Sequence, residues 1–216
     1  MPGAIGAIAA RRKRREKIEA GGHLHTPDTP GEIGKERRRE TKEAKKKTKA
    51  LQAVMAKYDT NKSGKLEADQ VRQLLTDTDG TTPKGQPPTE DELDFVLKVA
   101  DQSGDGSLSF SELEFALKSW NVYLRQKDKM GDAFDTYDKS RNGELSQEEM
   151  KAYLTDLNNK YPVSDEEVEW VMQEADVFGD GKIRKVEMVM ATSAWYALAD
   201  AKEVRDQKSS SFCGIQ

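Results

Sequence analysis

Four stretches of the chain share a twelve-residue frame in which oxygen-bearing groups recur at most of the odd positions. They are DTNKSGKLEADQ (59–70), DQSGDGSLSFSE (101–112), DKSRNGELSQEE (138–149) and DVFGDGKIRKVE (176–187). Each opens on Asp, has Gly sixth and an aliphatic residue eighth: Asp59, Gly64 and Leu66, then Asp101, Gly106 and Leu108, then Asp138, Gly143 and Leu145, then Asp176, Gly181 and Ile183. Carboxylate, hydroxyl, amide and main-chain carbonyl oxygens are hard donors. A hard divalent cation such as calcium takes roughly six to eight of them, and a loop of this length supplies them from positions 1, 3, 5, 7, 9 and 12. Glycine at position 6 permits the sharp turn, and a glutamate at position 12 closes the sphere with two oxygens.

The copies are unequal. The second meets every requirement: Asp101, Ser103 and Asp105 offer side-chain oxygens, Ser107 its carbonyl, Ser109 a hold on water, and Glu112 the closing carboxylate. The third does so with Asp138, Ser140, Asn142, the Glu144 carbonyl, Ser146 and Glu149. It has fewer carboxylates, so weaker binding than in the second is expected, because ligand charge tunes affinity. The first offers Asp59, Asn61, Ser63 and the Lys65 carbonyl but ends in Gln70, with Lys62 and Lys65 adding repulsion and Glu67 partly compensating. Two readings stand for it, a weak site or a loop kept for pairing. The fourth keeps Asp176, Asp180, the Lys182 carbonyl and Glu187, but Phe178 and Arg184 replace two oxygen donors. It reads as weak or empty, a structural partner of the third. Two calcium sites are expected, with four as the upper bound.

These loops need helices to hold them. Ahead of each, apolar residues recur at i, i+3, i+4 and i+7: Leu51, Val54, Met55, Tyr58; Leu93, Val96, Leu97, Ala100; Met130, Ala133, Phe134, Tyr137; and Val168, Val171, Met172, Ala175. That spacing puts four side chains on one face of a helix. Capping-box pairs mark helix starts at Thr89/Glu92, Ser109/Glu112, Ser146/Glu149 and Ser164/Glu167. Residues 110–137 hold no Pro and only Gly131, which predicts a long, nearly continuous helix with that glycine as its weak point. The aliphatic residue at position 8 lets two loops pair as a short antiparallel ribbon. Trp120, Trp170 and Trp195 are expected as core.

Four copies in phase resemble the calmodulin-like family of proteins with four EF-hands, over about residues 45–200. The resemblance implies an all-α fold of two EF-hand pairs with a flexible basic N-terminal arm. The organisation expected is an arm at 1–35, one pair at 36–125, a second pair at 126–200 and a flexible tail at 201–216. It also implies a calcium sensor that engages a partner protein or amphipathic helix. The rival is a structural or buffering protein held on a scaffold or membrane.

Charge adds a second theme. Residues 1–50 carry fifteen Lys or Arg against seven Asp or Glu, so a basic segment precedes an acidic body in a chain of net charge −4. RRKRREK, running from Arg11 to Lys17, lacks interleaved aromatics, so nucleic acid is not the expected partner. His23 and His25 have no nearby cysteine or acidic cluster and read as solvated. The sole cysteine, Cys213, is followed by Gly-Ile-Gln, which fits a prenylation tail. With the basic run it would favour a membrane surface, since one lipid chain anchors only weakly. The other reading is a chance cysteine. One cysteine excludes an internal disulfide and fits a reducing compartment, here the cytoplasm with membrane or cytoskeletal association. No secretory signal is expected, and no nucleophile–base cluster or phosphate-cradling glycine loop appears, so no enzyme is expected.

Overall fold

The protein is described by a computed structural model that covers residues 30–79 and 86–212, with side chains described over 34–79 and 86–202. Helix α1 spans Pro30–Tyr58, strand β1 Lys65–Leu66, α2 Ala68–Thr78, α3 Glu90–Ala100, β2 Leu108–Ser109 and α4 Phe110–Tyr137. Then follow β3 Glu144–Leu145, α5 Gln147–Leu157, α6 Asp165–Ala175, β4 Ile183–Arg184, a 3-10 turn Lys185–Glu187 and α7 Met188–Phe212. Among the described residues the fold is all-α apart from two two-stranded ribbons, as the repeat predicts.

Periodicity becomes burial. Tyr58, Ala100, Phe134 and Ala175, each one to four residues before a loop's first Asp, are buried. The position-8 residues meet as pairs: Leu66 lies opposite Leu108, and Leu145 opposite Ile183. All four are fully excluded from solvent. Capping is as expected at α5 and α6, where Ser146 and Ser164 each exchange hydrogen bonds with the glutamate three residues on.

Two boundaries differ from the sequence expectation. Helix α1 begins at Pro30, inside the arm expected at 1–35, because proline at a helix's first position sacrifices no hydrogen bond. Helix α7 runs on through Phe212, past residue 200. Helix α4 runs over Phe110–Tyr137 as the long helix expected from the sequence, unbroken at Gly131. A Cβ there would meet only the end of the Lys185 side chain, Cε at 3.0 Å, which can swing aside. Cys213 and the basic run at 11–17 lie outside the described residues. So do His23 and His25.

The chain divides into two compact units, the described residues of Met1–Thr89 with Val99–Ser119, and those of Glu90–Lys98 with Trp120–Gln216. The first holds the ribbon β1–β2 and the second the ribbon β3–β4. Most of α3 groups with the second unit for a visible reason. Buried Glu92 accepts a hydrogen bond from Tyr123 Oη at 2.7 Å and pairs with Lys127 at 2.8 Å. Phe95 lies 6.2 Å from the Tyr123 ring, and Trp120 stacks on Tyr123 at 5.5 Å. Trp120 and Trp195 are core, as expected, whereas Trp170 is 38% exposed. Among the described residues no helix is long and apolar enough to cross a membrane.

Candidate metal centre

Each loop folds around its first aspartate. In loop two the N–H groups of Gly104 and Gly106 donate to the two Asp101 carboxylate oxygens at 2.7 Å each. In loop three those of Asn142 and Gly143 do the same to Asp138 at 3.2 and 3.0 Å. Loops one and four repeat the pattern, with the Gly64 N–H on Asp59 and the Gly181 N–H on Asp176. The sixth-position glycines all have φ near +80° (+81°, +78°, +82° and +78°), a region that a Cβ disfavours.

The ligand side chains predicted for loops two and three are brought together. The Ser103 hydroxyl donates to Asp101 at 3.0 Å, and Ser140 to Asp138 at 3.1 Å, so positions 1 and 3 face each other. Asp105 accepts from the Ser107 N–H at 3.0 Å, and Asn142 from the Glu144 N–H at 2.9 Å. The closing glutamates bridge both ends of their loops. Glu112 accepts from the N–H groups of Gln102 (2.9 Å), Ser103 (3.0 Å) and Ser109 (2.8 Å), and from the Ser109 hydroxyl (2.6 Å). Glu149 accepts from those of Ser140 and Ser146 at 3.0 Å each.

Hydrogen bonds to the charged form hold these acids ionised. The Ser109 hydroxyl, then main-chain N–H groups, lower the Glu112 pKa. The N–H groups of Ser146 and Ser140 bring Glu149 down to about 2 from 4.5. Despite desolvation, Asp101 is also lowered, by the Gly106 and Gly104 N–H groups and the Ser103 hydroxyl. Ionised oxygens of this kind fit a hard cation. Among the described residues no three Asp, Glu, His or Cys side chains converge on one point. The sites draw on hydroxyl, amide and carbonyl oxygens, and their carboxylates are turned onto loop N–H groups. Because the folded Glu149 pKa is depressed, its contribution to metal-free stability is present above 4.5 and is lost as pH falls toward about 2. The amide protons of Ser140 and Ser146 should therefore shift in NMR with a midpoint near 2. A midpoint at the free-glutamate value would contradict this geometry.

Loop one closes by other means, and loop four closes on its glutamate but has its other donors replaced or engaged. Gln70 Oε1 accepts from the Glu67 N–H at 3.1 Å, but its Nε2 is a donor and turns to Thr60 Oγ1 (3.2 Å) and Asn61 Oδ1 (3.4 Å). The amide thus occupies an oxygen that a cation would use. The Asn61 Nδ2 donates in turn to Glu67, and the Ser63 hydroxyl to the Lys65 carbonyl at 3.0 Å. In loop four Glu187 is fully buried and accepts from the N–H groups of Val177, Phe178 and Arg184 at 2.7 to 3.0 Å. Burial raises its pKa despite those bonds. The Arg184 guanidinium lies on Asp180 through Nε (3.2 Å) and Nη2 (2.9 Å), and its carbon stands 4.3 Å from the Phe178 ring centre. Phe178 and Arg184 are therefore a matched pair: the ring replaces one oxygen and carries the cation that neutralises another.

Three participants were not expected from sequence. Asp91 of α3 takes Arg184 Nη1 at 3.3 Å. Lys98 donates to the Phe178 carbonyl at 3.3 Å. Lys65, expected only to offer its carbonyl and to repel, reaches across the ribbon to pair with Asp105 of loop two. Its ammonium lowers the Asp105 pKa. Lys182, the equivalent residue in loop four, pairs with Glu144 at 2.6 Å, whose side chain is not the part expected to bind. The ribbon register was the available signal, since position-8 pairing sets the two position-7 residues close to the neighbouring loop.

Comparison with known proteins agrees with the geometry. The EF-hand domain pair family matches residues 48–118 and 127–193. Human calretinin is 32% identical over 114 residues, covering 48% of this chain and 42% of calretinin. Calbindin-32 of Drosophila melanogaster is 30% identical over 158 residues, covering 63% of this chain and 51% of its own. The chain spans about half the length of these curated relatives. A solved redox protein from Chlamydomonas reinhardtii aligns with 72% of the chain and 54% of its own at 24% identity, with a TM-score of 0.37. Four twelve-residue loops of one pattern, two of them with oxygen donors at every expected position, paired two by two and matched by the family over most of the chain, make this a member of the EF-hand family and a calcium-binding protein.

Proposed function

We propose that the protein is a calcium sensor whose working sites are loops two and three, with loops one and four as their pairing partners. One observation supports this reading above others. The position-12 groups of loops two and three are carboxylates that accept from both ends of the loop, whereas an amide donor in loop one and a guanidinium in loop four take up oxygens a cation needs. Bound calcium supplies a compact positive charge that draws hard oxygens together. Asp101, Ser103, Asp105, the Ser107 carbonyl and Glu112 would hold it in loop two. Asp138, Ser140, Asn142, the Glu144 carbonyl and Glu149 would hold it in loop three. Glu112 and Glu149 stand in the first turns of α4 and α5, so moving either carboxylate moves a helix. The Lys65 ammonium on Asp105 must give way, which offsets part of the charge advantage of loop two.

The partner this reading implies is an amphipathic helix that lays apolar side chains on surface uncovered by those shifts. Unit one already offers an open cleft of about 440 Å³ lined by Met55, Ala56 and Phe110 beside Asp59 and Gly64. A buffering or scaffold role has its own support: Met130, Met150, Met172 and Met188 are buried, and Arg184 closes loop four without metal. An apolar fluorescent dye separates the two. A sensor shows dye emission that rises several-fold on calcium addition and not on magnesium addition. Calcium binding with unchanged emission would replace the sensor by the buffer.

A further inference from the structure

Helix α1 is exposed on every side from Gly34 to Ala50, yet its charges are sorted. At 3.6 residues per turn, Lys35, Arg38, Arg39, Lys42, Lys45, Lys46 and Lys49 fall within an arc of about 120°. Glu36, Glu40 and Glu43 fall together on the flank toward the other side. The half-buried or buried residues near the helix end, Leu51, Val54, Met55 and Tyr58, define the face packed on unit one. That face lies about 170° from the centre of the cationic arc. Lys47 lies on the acidic flank and reaches Glu114 of α4 at 2.5 Å, which agrees with that orientation. None of the seven arc cations makes an ion pair or side-chain hydrogen bond among the described residues.

We propose that this stripe docks on an anionic phospholipid surface. Seven cations along about 21 Å of helix reach one plane together, while the three glutamates stay on the flank away from it. A duplex groove would instead surround the helix with phosphates and bring Glu36, Glu40 and Glu43 against them. The stripe carries no apolar side chain, so the contact is adsorption at the headgroups and not insertion. Attraction of this kind is screened by salt.

The test uses the full chain with chelator present and vesicles of phosphatidylserine with phosphatidylcholine, read by co-sedimentation. Lys42→Gln with Lys49→Gln removes two stripe charges, and Arg37→Gln with Lys47→Gln removes two off it. Glutamine is a good helix former, so both variants keep α1. The wild type is expected on serine-containing vesicles and not on phosphatidylcholine alone, with release at high salt. The stripe variant should bind on the order of 25-fold more weakly, each cation contributing roughly five-fold. The flank variant should bind within about two-fold of wild type on the same scale. Equal loss in the two variants would overturn the proposal. So would wild-type binding by the stripe variant, since the 11–17 run is intact in both, or displacement of the wild type from vesicles by a DNA duplex at equal phosphate.

Discussion

Replacing Glu112 by Gln is expected to weaken calcium binding at loop two on the order of 100-fold, and Glu149→Gln to do the same at loop three. The chain displays the reason in its own first loop. A carboxylate accepts at both oxygens, so Glu112 takes the N–H groups of Gln102 and Ser103 with one and that of Ser109 with the other. An amide accepts at one end only. In loop one, Gln70 accepts from Glu67 and must point its NH2 group at Thr60 and Asn61. Glutamine at 112 or 149 would lose one ligand oxygen, one negative charge and the fit to two main-chain donors. Calorimetry with magnesium present is the measurement. Two sites in the wild type and none in the double variant is the expected result. Sites that survive the double change would move the function to loops one and four.

Phe178→Asp with Arg184→Ser is expected to turn loop four into a calcium site, raising the calorimetric stoichiometry by one. Its Kd should fall near the sensor range, about 10⁻⁷ to 10⁻⁵ M. The rest of the loop already meets the requirement: Asp176 gathers the N–H groups of Gly179, Asp180 and Gly181, and Glu187 bridges both ends. The two substitutions return oxygens at positions 3 and 9 and release Asp180 from its guanidinium. Arg184→Ala alone should instead lower metal-free stability by about 1 kcal/mol, as the stacking on Phe178 and the partly exposed pair with Asp180 are lost together. Urea unfolding in chelator measures it. An unchanged midpoint together with no added site in the double variant would mean that Arg184 is incidental to the loop.

Much of this protein is legible residue by residue because the governing physics is local. A twelve-residue loop sets its own donors by position, a glycine at its sixth place turns it, and helix periodicity before each loop states which face is buried. Leu66, Leu108, Leu145 and Ile183 could be assigned as the buried ribbon pairs from spacing alone. Gln70 and Phe178 likewise marked the two irregular loops.

What sequence could not reach are contacts between groups far apart along the chain. The pairing of Lys65 with Asp105 depends on ribbon register, and that of Arg184 with Asp91 joins residues from different repeats. Local spacing showed that Arg184 had replaced a polar residue. Only the folded loop showed that its side chain turns back over Phe178 onto Asp180, because a long side chain's direction follows the groups it finds around it. The grouping of Glu90–Lys98 with the second unit was likewise decided by the burial of Glu92 against Tyr123 and Lys127. Sequence determined which loops have oxygens to offer. Tertiary structure decided which of those oxygens are already engaged, because charges several turns or repeats apart meet only once the helices have packed.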